Sequence, residues 1–451
     1  MGKRGLWSAD DCLLGLLLVG GSLRRLTLDR VRKSVKNFTF APAFGEPFMI
    51  AALTKLCSLL IIGCKYYVEE GCVLRRRNGR PYNRPPAIRS FIVSLTCRII
   101  LFLPYTLCLT SSALAETGPL KPFEYSLPRM GTVFRIVLYA ANSTIASEAS
   151  SEAFDRVEQL EQIFSDYRED SELMRVCRTA SQSPQRLSSD LYMILQSSLR
   201  FSALSDGAFD VTIGPIVRLW REARSQQRLP EAERLSKARL AVGYHNLVLD
   251  PDDHTLFLKR DDMSLDLGAI AKGYAADQAR AVLEKYGIRK ALVAAGGDLS
   301  IGDPPPATEG WEVQIRSWTS GSIADSGMLQ LHNCNVSTSG DKFQFLEAKG
   351  TRYSHIIDPQ TGLGITDSVS TTVIAPDGAT ADALATTLSI LPVKRALALA
   401  DLQDQVAAFL VRRQGKQFVE FRSRRFPPVA REARFRTALE VPVLDLQISN
   451  R

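Results

Sequence analysis

The stretch "ATADALATTL", Ala379 to Leu388, is built almost entirely from Ala, Leu and Thr, yet it carries Asp382 with Thr386 four residues on. On a helix, positions four apart project from one face, so these two side chains would bring three oxygens toward one point. Two chemistries fit. A carboxylate in a first helical turn favours the positive end of the helix dipole, with Thr386 packing by its methyl group. Alternatively, the pair is half of the oxygen shell of a hard cation such as Mg2+, which needs few protein ligands and often bridges to substrate phosphates. Read alone, the segment favours the dipole.

Other residues invite the same double reading. His355 in "RYSHIIDPQTG" is one of four histidines, able to act as a general base or to serve as a structural residue before the Asp358-Pro359 turn. Asp210 in "SDGAFDVTIGPIVRLW" reads as an N-cap for the helix that leads to Trp220. "STSGDKFQF", from Ser337, suits an anion or a hairpin turn. "LDLGAIAKGYAAD" (265–277) and "AAGGDLSIG" (294–302) carry strand residues into glycines, where exposed backbone N–H groups could meet phosphate oxygens. Neither matches dinucleotide-fingerprint or P-loop spacing.

These residues need elements to hold them. "GTVFRIVLYA" (131–140) is rich in β-branched and aromatic residues and reads as a strand. Apolar residues at helical spacing predict helices over 144–164, 188–204, 230–242, 270–286 and 380–391. Between them, "NLVLD", "HTLFLK", "MSLDL", "KALVAAG", "WEVQIR" and "FLVRR" read as strands. Hairpin-like pairs such as "NLVLDPDDHTLFLK" imply antiparallel pairing, so the fold class is α+β, with mixed, largely antiparallel sheets packed with helices.

The chain has 451 residues, 45% hydrophobic and 23% charged, enough for a large core. Its net charge of +8 is concentrated upstream: residues 1–115 hold 17 Lys and Arg against 6 Asp and Glu. The remainder is net acidic, which argues against a nucleic-acid partner. Six of the eight cysteines are also upstream; Cys177 and Cys334 could form a disulfide in an oxidising compartment or stay as thiols.

"RPPAIRSFIVSLTCRIILFLPYTLCLTSSALAET" (84–117) places basic residues before an apolar run at 99–109, then Ala113-Leu114-Ala115. That is the grammar of an export signal cleaved after Ala115. The expected organisation is residues 1–115 as an N-terminal extension with signal peptide and 116–451 as the folded, exported, periplasmic part, in which association with the inner membrane remains open. A second apolar run at 47–64 leaves a membrane anchor open, as does a misplaced start codon.

Taken in order, "MGTVFRI", "FSDYREDSELMRV", "GAFDVTIGPIVRLW", "DLGAIAKGYAAD", "ALVAAGGDL", "STSGDKFQF", "YSHIIDPQTG" and "SVSTTVIAPDGATADALATTL" resemble the ApbE family of FAD:protein FMN transferases, over residues 125–420. The resemblance implies an exported bacterial enzyme that uses Mg2+ to split FAD, moves the FMN half onto a Thr hydroxyl of a target protein through a phosphoester bond, and releases AMP. It implies Mg2+ ligands at Asp382, Thr386 and the Ala269 carbonyl, FAD contacts at Met130, Tyr167, Ala208, Phe209, Asp210, Asp266, Lys272 and Ile357, and His355 as general base. Electron-transfer subunits at the membrane would be the acceptor flavoproteins. Ala385 and Ala294 depart from the family's pattern, where a further acidic residue and Asn are common. The same motifs also suit an FAD pyrophosphatase giving FMN and AMP, and less well a non-catalytic FAD-binding envelope protein. "DGAT" (377–380) looks superficially like the short motif that such enzymes modify.

Overall fold

The computed structural model describes residues 119–315, 327–340, 345–367, 369–415 and 417–428. The chain divides into two units, Met1–Ala113 and Leu114–Arg451, and every described residue lies in the second. The apolar runs at 47–64 and 99–109 and the cleavage pattern at Ala115 lie outside the described residues, as do 341–344 and Ser368 of the quoted motifs.

An eight-stranded sheet forms the centre. Its strands are β1 (Lys121–Arg129), β2 (Thr132–Ala140), β6 (Ala291–Ala295), β7 (Asp298–Ile301), β10 (Cys334–Gly340), β13 (Val369–Ala375), β14 (Ala407–Gln414) and β15 (Gln417–Arg422), in that spatial order. Each neighbouring pair is antiparallel. Smaller sheets pair β3 (Gln185–Arg186) and β4 (Leu247–Asp250) with β5 (Thr255–Leu258), β8 (Trp311–Ile315) with β9 (Gly327–Leu331), and β11 (Phe345–Ala348) with β12 (Thr351–Ser354). The class is therefore α+β, as the hairpin spacing implied.

Strand alternation divides the core. Phe134, Ile136 and Leu138 of β2 face the helices, while Val137, with Leu299 and Val336, faces Trp311 and Val313 of the β8–β9 hairpin. On the helical side lie α1 (Ser143–Phe164), α3 (Ser189–Ser205), α6 (Ala271–Lys285), α7 (Gly378–Ile390) and α8 (Val393–Leu402). α1 starts where Asn142 accepts the Ile145 N–H at 2.9 Å, and it buries Ala146, Ala149, Ala153, Val157 and Leu160 at helical spacing. A third cluster joins α4 (Gly214–Ser225) to the β11–β12 hairpin through Ile216, Trp220, Leu346 and Ile357, and α5 (Ala232–Leu240) packs against it. Among the described residues no helix is long and apolar enough to cross a membrane.

Three expectations need correction. "MSLDL" is not a strand: Met263, Leu265 and Leu267 are buried as alternation suggests, but the only ladder contact is an isolated parallel bridge between Ile213 and Ser264. Asp210 is not an N-cap; α4 starts after Ile213, and the Asp210 carboxylate closes a turn onto the Thr212 N–H instead. Asp382 is not in a first turn, because Asp377 caps α7 and accepts the Thr380 N–H at 2.8 Å. α2 (Glu172–Thr179) and α8 have no counterpart among the expected helices.

Candidate functional site

Two glycines bring the central residues together. α6 and α7 cross so closely that a Cβ on Gly273 would lie 2.0 Å from the Gly378 carbonyl oxygen, and one on Gly378 would lie 2.1 Å from that of Gly273. Only residues without a side chain permit this approach. Asp277 of α6 secures it by accepting the Gly378 N–H at 2.5 Å. The crossing sets Asp382 against the first turn of α6, where its Oδ2 accepts from Lys272 Nζ and from the Gly273 N–H, both at 3.2 Å.

Lys272 is the hub. Its Nζ also lies 3.2 Å from Asp298 Oδ2 and donates to the Gly268 carbonyl at 3.0 Å. Asp298 opens β7 directly after the Gly296–Gly297 turn, and its other oxygen accepts from the Ser337 hydroxyl of β10. Two residues along β10, Ser339 lies within hydrogen-bond distance of Thr386, 3.3 Å between hydroxyl oxygens. Asp382 and Thr386 thus share a site with Lys272 and Asp298. Nothing singled out Asp298, Ser337 or Ser339 individually; the legible signal was a carboxylate following paired glycines in a buried strand.

The electrostatics follow from burial. Asp298 and Asp382 are each 3% exposed. Desolvation, reinforced by the neighbouring Asp298 carboxylate, pushes the Asp382 carboxyl up to about 7, against the pull of Lys272 and the Gly273 N–H. Burial opposes the Lys272 charge, but the two carboxylates outweigh it and hold the ammonium well above the ordinary lysine range. Two buried carboxylates share one cation, which leaves one negative charge uncompensated when both are ionised. Among the described residues no group of three or more His, Cys, Asp or Glu could hold a metal. A cation here would draw on a carboxylate together with hydroxyl, carbonyl, water and substrate oxygens, an all-oxygen donor set that fits Mg2+ rather than a thiolate- or imidazole-bound metal.

A second constellation flanks the loop at 266–269. Arg221 of α4 forms ion pairs with Asp166 and, at 2.9 Å, with Asp266. Its guanidinium carbon lies 4.1 Å from the centre of the Tyr167 ring, and Tyr167 is 75% exposed. The remaining oxygen of Asp266 accepts the Gly268 N–H at 2.8 Å. Burial, then the adjacent Asp166 charge, raises the Asp266 carboxyl above its usual range.

The other expected contacts are spread around these two. Met130 sits at the β1–β2 hairpin tip with φ of +50°, followed by Gly131 at +70°, the paired left-handed geometry of a two-residue turn. A Cβ on Gly296 would meet the Thr132 hydroxyl at 3.0 Å, so this tip abuts the turn that leads to Asp298. Ala208 and Phe209 are buried, and the Phe209 ring packs edge-on to Phe201, 6.1 Å between centres. At 3% exposure the Phe209 ring is a core side chain. Asp210 accepts from the Thr212 and Tyr244 N–H groups at 2.8 Å, and burial raises its carboxyl above its usual range. It borders a cleft of about 530 Å³ that reaches Tyr244, His245 and Gln360. Ala269 is partly buried against the main core. Ile357 is buried beside Trp220, and His355 follows β12 half-buried.

The two departures from the family pattern lie in different places. Ala385 is fully buried in the helical core, and Ala294 faces the β8–β9 side of the sheet, away from the site. Thr380 of "DGAT" is 5% exposed and its hydroxyl donates to Asp377, which excludes it as an accessible acceptor. Cys177 and Cys334 are free thiols, and burial pushes each up to about 11.

The ApbE family model matches residues 130–410, a span that holds both constellations. The FAD:protein FMN transferase of Escherichia coli (strain K12) is 32% identical over 302 residues, 66% of this chain and 86% of that protein. The protein of the same name from Salmonella typhimurium is 32% identical over 338 residues, covering 73% and 96%. Among solved structures, the flavin transferase ApbE from Vibrio cholerae superimposes with a TM-score of 0.62 at 30% identity, covering 68% of this chain and 98% of that one. The flavinyl transferase ApbE from Pseudomonas stutzeri gives 0.61 at 30% identity, covering 68% and 96%. Family match, identity over most of each relative and shared fold agree: the chain belongs to the ApbE family.

Proposed function

We propose that this protein is an FAD:protein FMN transferase that uses Mg2+ to move FMN from FAD onto a Thr hydroxyl of an acceptor protein. The carrying observation is the junction of Asp382, Thr386, Lys272 and Asp298 at the α6–α7 crossing, in a chain whose relatives are named for this reaction. The Asp382 carboxylate, the Thr386 hydroxyl and the Ala269 carbonyl would hold Mg2+. When bound, the cation supplies charge neutralisation at the FAD pyrophosphate.

The chain's own residues do the rest. Lys272 adds a fixed positive charge at the same place. Tyr167, Met130 and the backbone of Ala208, Phe209, Asp210 and Ile357 border the space for the dinucleotide, with Asp266 anchoring the adjoining loop. His355 takes the proton from the acceptor Thr hydroxyl as its oxygen bonds to the FMN phosphorus, and the bond from that phosphorus to the bridging oxygen breaks to release AMP. Thr is a weak nucleophile at neutral pH, and His is the side chain suited to that proton.

The full chain, incubated with FAD, Mg2+ and a membrane electron-transfer subunit as acceptor, should place a covalent yellow fluorescent band on a denaturing gel. Intact FAD defeats the reading, and free FMN without labelled protein makes the chain a pyrophosphatase instead. His355→Ala should slow turnover by about a hundredfold while changing FAD affinity less than about threefold; equal losses in both would make His355 structural. We also propose export with cleavage after Ala115, resting on the signal grammar alone. A mature N-terminus elsewhere than Glu116 counts against it.

A further inference from the structure

Tyr167 is unusual among the aromatic residues of the fold. A 75% exposed ring gives up nearly all of the stabilisation that burying it would bring. Yet its backbone is held firmly. The Ser165 hydroxyl accepts the N–H groups of Tyr167 and Arg168 at 3.3 Å, and the Ser165 carbonyl accepts from Ser171 at 2.6 Å. The loop between α1 and α2 is thus pinned with the ring projecting outward. One contact to the ring stands out: the Arg221 guanidinium at 4.1 Å. That guanidinium is itself fixed between Asp166 and Asp266.

We propose that Arg221 is a positioning residue that turns Tyr167 into a stacking platform for a flat ring of FAD. This rests on the reading of the chain as an FAD-dependent transferase. A planar cation laid along one ring face leaves the other face open and restrains both side-chain torsions of Tyr167, so stacking a ligand costs little further ordering. The same guanidinium reaches the reacting end through an unbroken series of contacts. Asp266 accepts from Arg221 and from the Gly268 N–H, and the Gly268 carbonyl accepts from Lys272 Nζ, which lies 3.2 Å from Asp382. Ion pairing alone would not require a tyrosine across the guanidinium, and a tyrosine serving only the fold would be covered. The isoalloxazine and the adenine of FAD are both flat, and either could be the ring that stacks.

The test titrates FAD without Mg2+, which separates binding from turnover. Arg221→Lys keeps the charge and loses the planar fork. It should weaken FAD binding about tenfold, Tyr167→Ala should weaken it by a similar factor, and the double variant should lose no more than either single one. In turnover, the Arg221→Lys loss should fall on KM for FAD rather than on kcat. Tyr167→Phe, which keeps the ring, should restore binding. Titrating FMN and AMP separately identifies the stacked ring as whichever ligand loses affinity in Tyr167→Ala. A folded Arg221→Lys variant with unchanged FAD affinity overturns the proposal, as do losses that multiply in the double variant. If Arg221→Lys does not fold, Asp166→Asn, which removes one carboxylate steering the guanidinium, replaces it in the same comparison. Wild-type protein that neither binds nor turns over FAD defeats the functional reading itself, a result distinct from any of these.

Discussion

Asp382→Asn should abolish Mg2+-dependent turnover, by at least about a thousandfold, and at the same time make the chelator-treated protein more stable than wild type at pH 8. Both effects have one origin. Asp298 and Asp382 are two buried carboxylates facing a single ammonium on Lys272. Replacing one by an amide leaves a matched pair and still provides an acceptor for the Gly273 N–H. The sign with pH follows from the raised carboxyl of Asp382, about 7. Between about pH 4 and that value, the folded chain keeps a proton that the unfolded chain has lost, so stability falls as pH rises through the window. The amide has no such proton and escapes the fall. Melting curves in chelator from pH 5 to 8, beside FAD turnover with Mg2+, check both halves. Unchanged turnover removes Asp382 from the cation site, and a variant less stable than wild type at pH 8 contradicts the charge accounting.

Gly273→Ala should be the most damaging single methyl group in the domain. The added carbon would lie 2.0 Å from the Gly378 carbonyl oxygen and 3.0 Å from Asp382 Cβ. The first of these is backbone, so no side-chain rotation relieves it and the helices must separate. The expected cost is about 3 kcal/mol or more, read as a melting temperature several degrees lower. Activity should fall with it, because separation draws Asp382 away from the Gly273 N–H and Lys272. Wild-type melting and turnover in Gly273→Ala would mean the crossing is looser than described.

Local periodicity made most of the elements legible. The helix expected over 270–286 spans Ala271–Lys285, and the one expected over 144–164 spans Ser143–Phe164. Misreadings arose where the deciding contact is remote in sequence. "MSLDL" alternates as a strand does, but Arg218 and Gly214 of α4 pack on Ser264 and leave the segment without a ladder. Asp210 resembles a cap because no local pattern reveals that its carboxylate accepts from Tyr244, over thirty residues downstream. Asp382 has the residue type of a dipole partner, but Asp377 holds the capping position and puts Asp382 beyond the first turn. Asp298 could be noticed only as the residue after two glycines; its burial against Lys272 depends on a helix crossing that composition does not encode. Arg221 stayed hidden because a basic residue on an amphipathic helix is ordinary until Tyr167 and two aspartates surround it.

The central sheet lists its strands in the order in which they are synthesised, from β1 to β15, each antiparallel to the one before. A nascent chain can therefore add strands at one growing edge, without threading a late strand between two early ones. Pairings between successive strands keep loop closure modest within each hairpin, while the long excursion between β2 and β6 carries the helices that cover the growing face. α7 enters between β13 and β14, so Asp382 and Thr386 arrive after nearly all of the scaffold they join. The chemistry is thereby assembled late, with only α8, β14 and β15 still to follow. A chain cut short before α7 could complete most of the sheet and still have no place for a cation, which ties competence to near-complete synthesis.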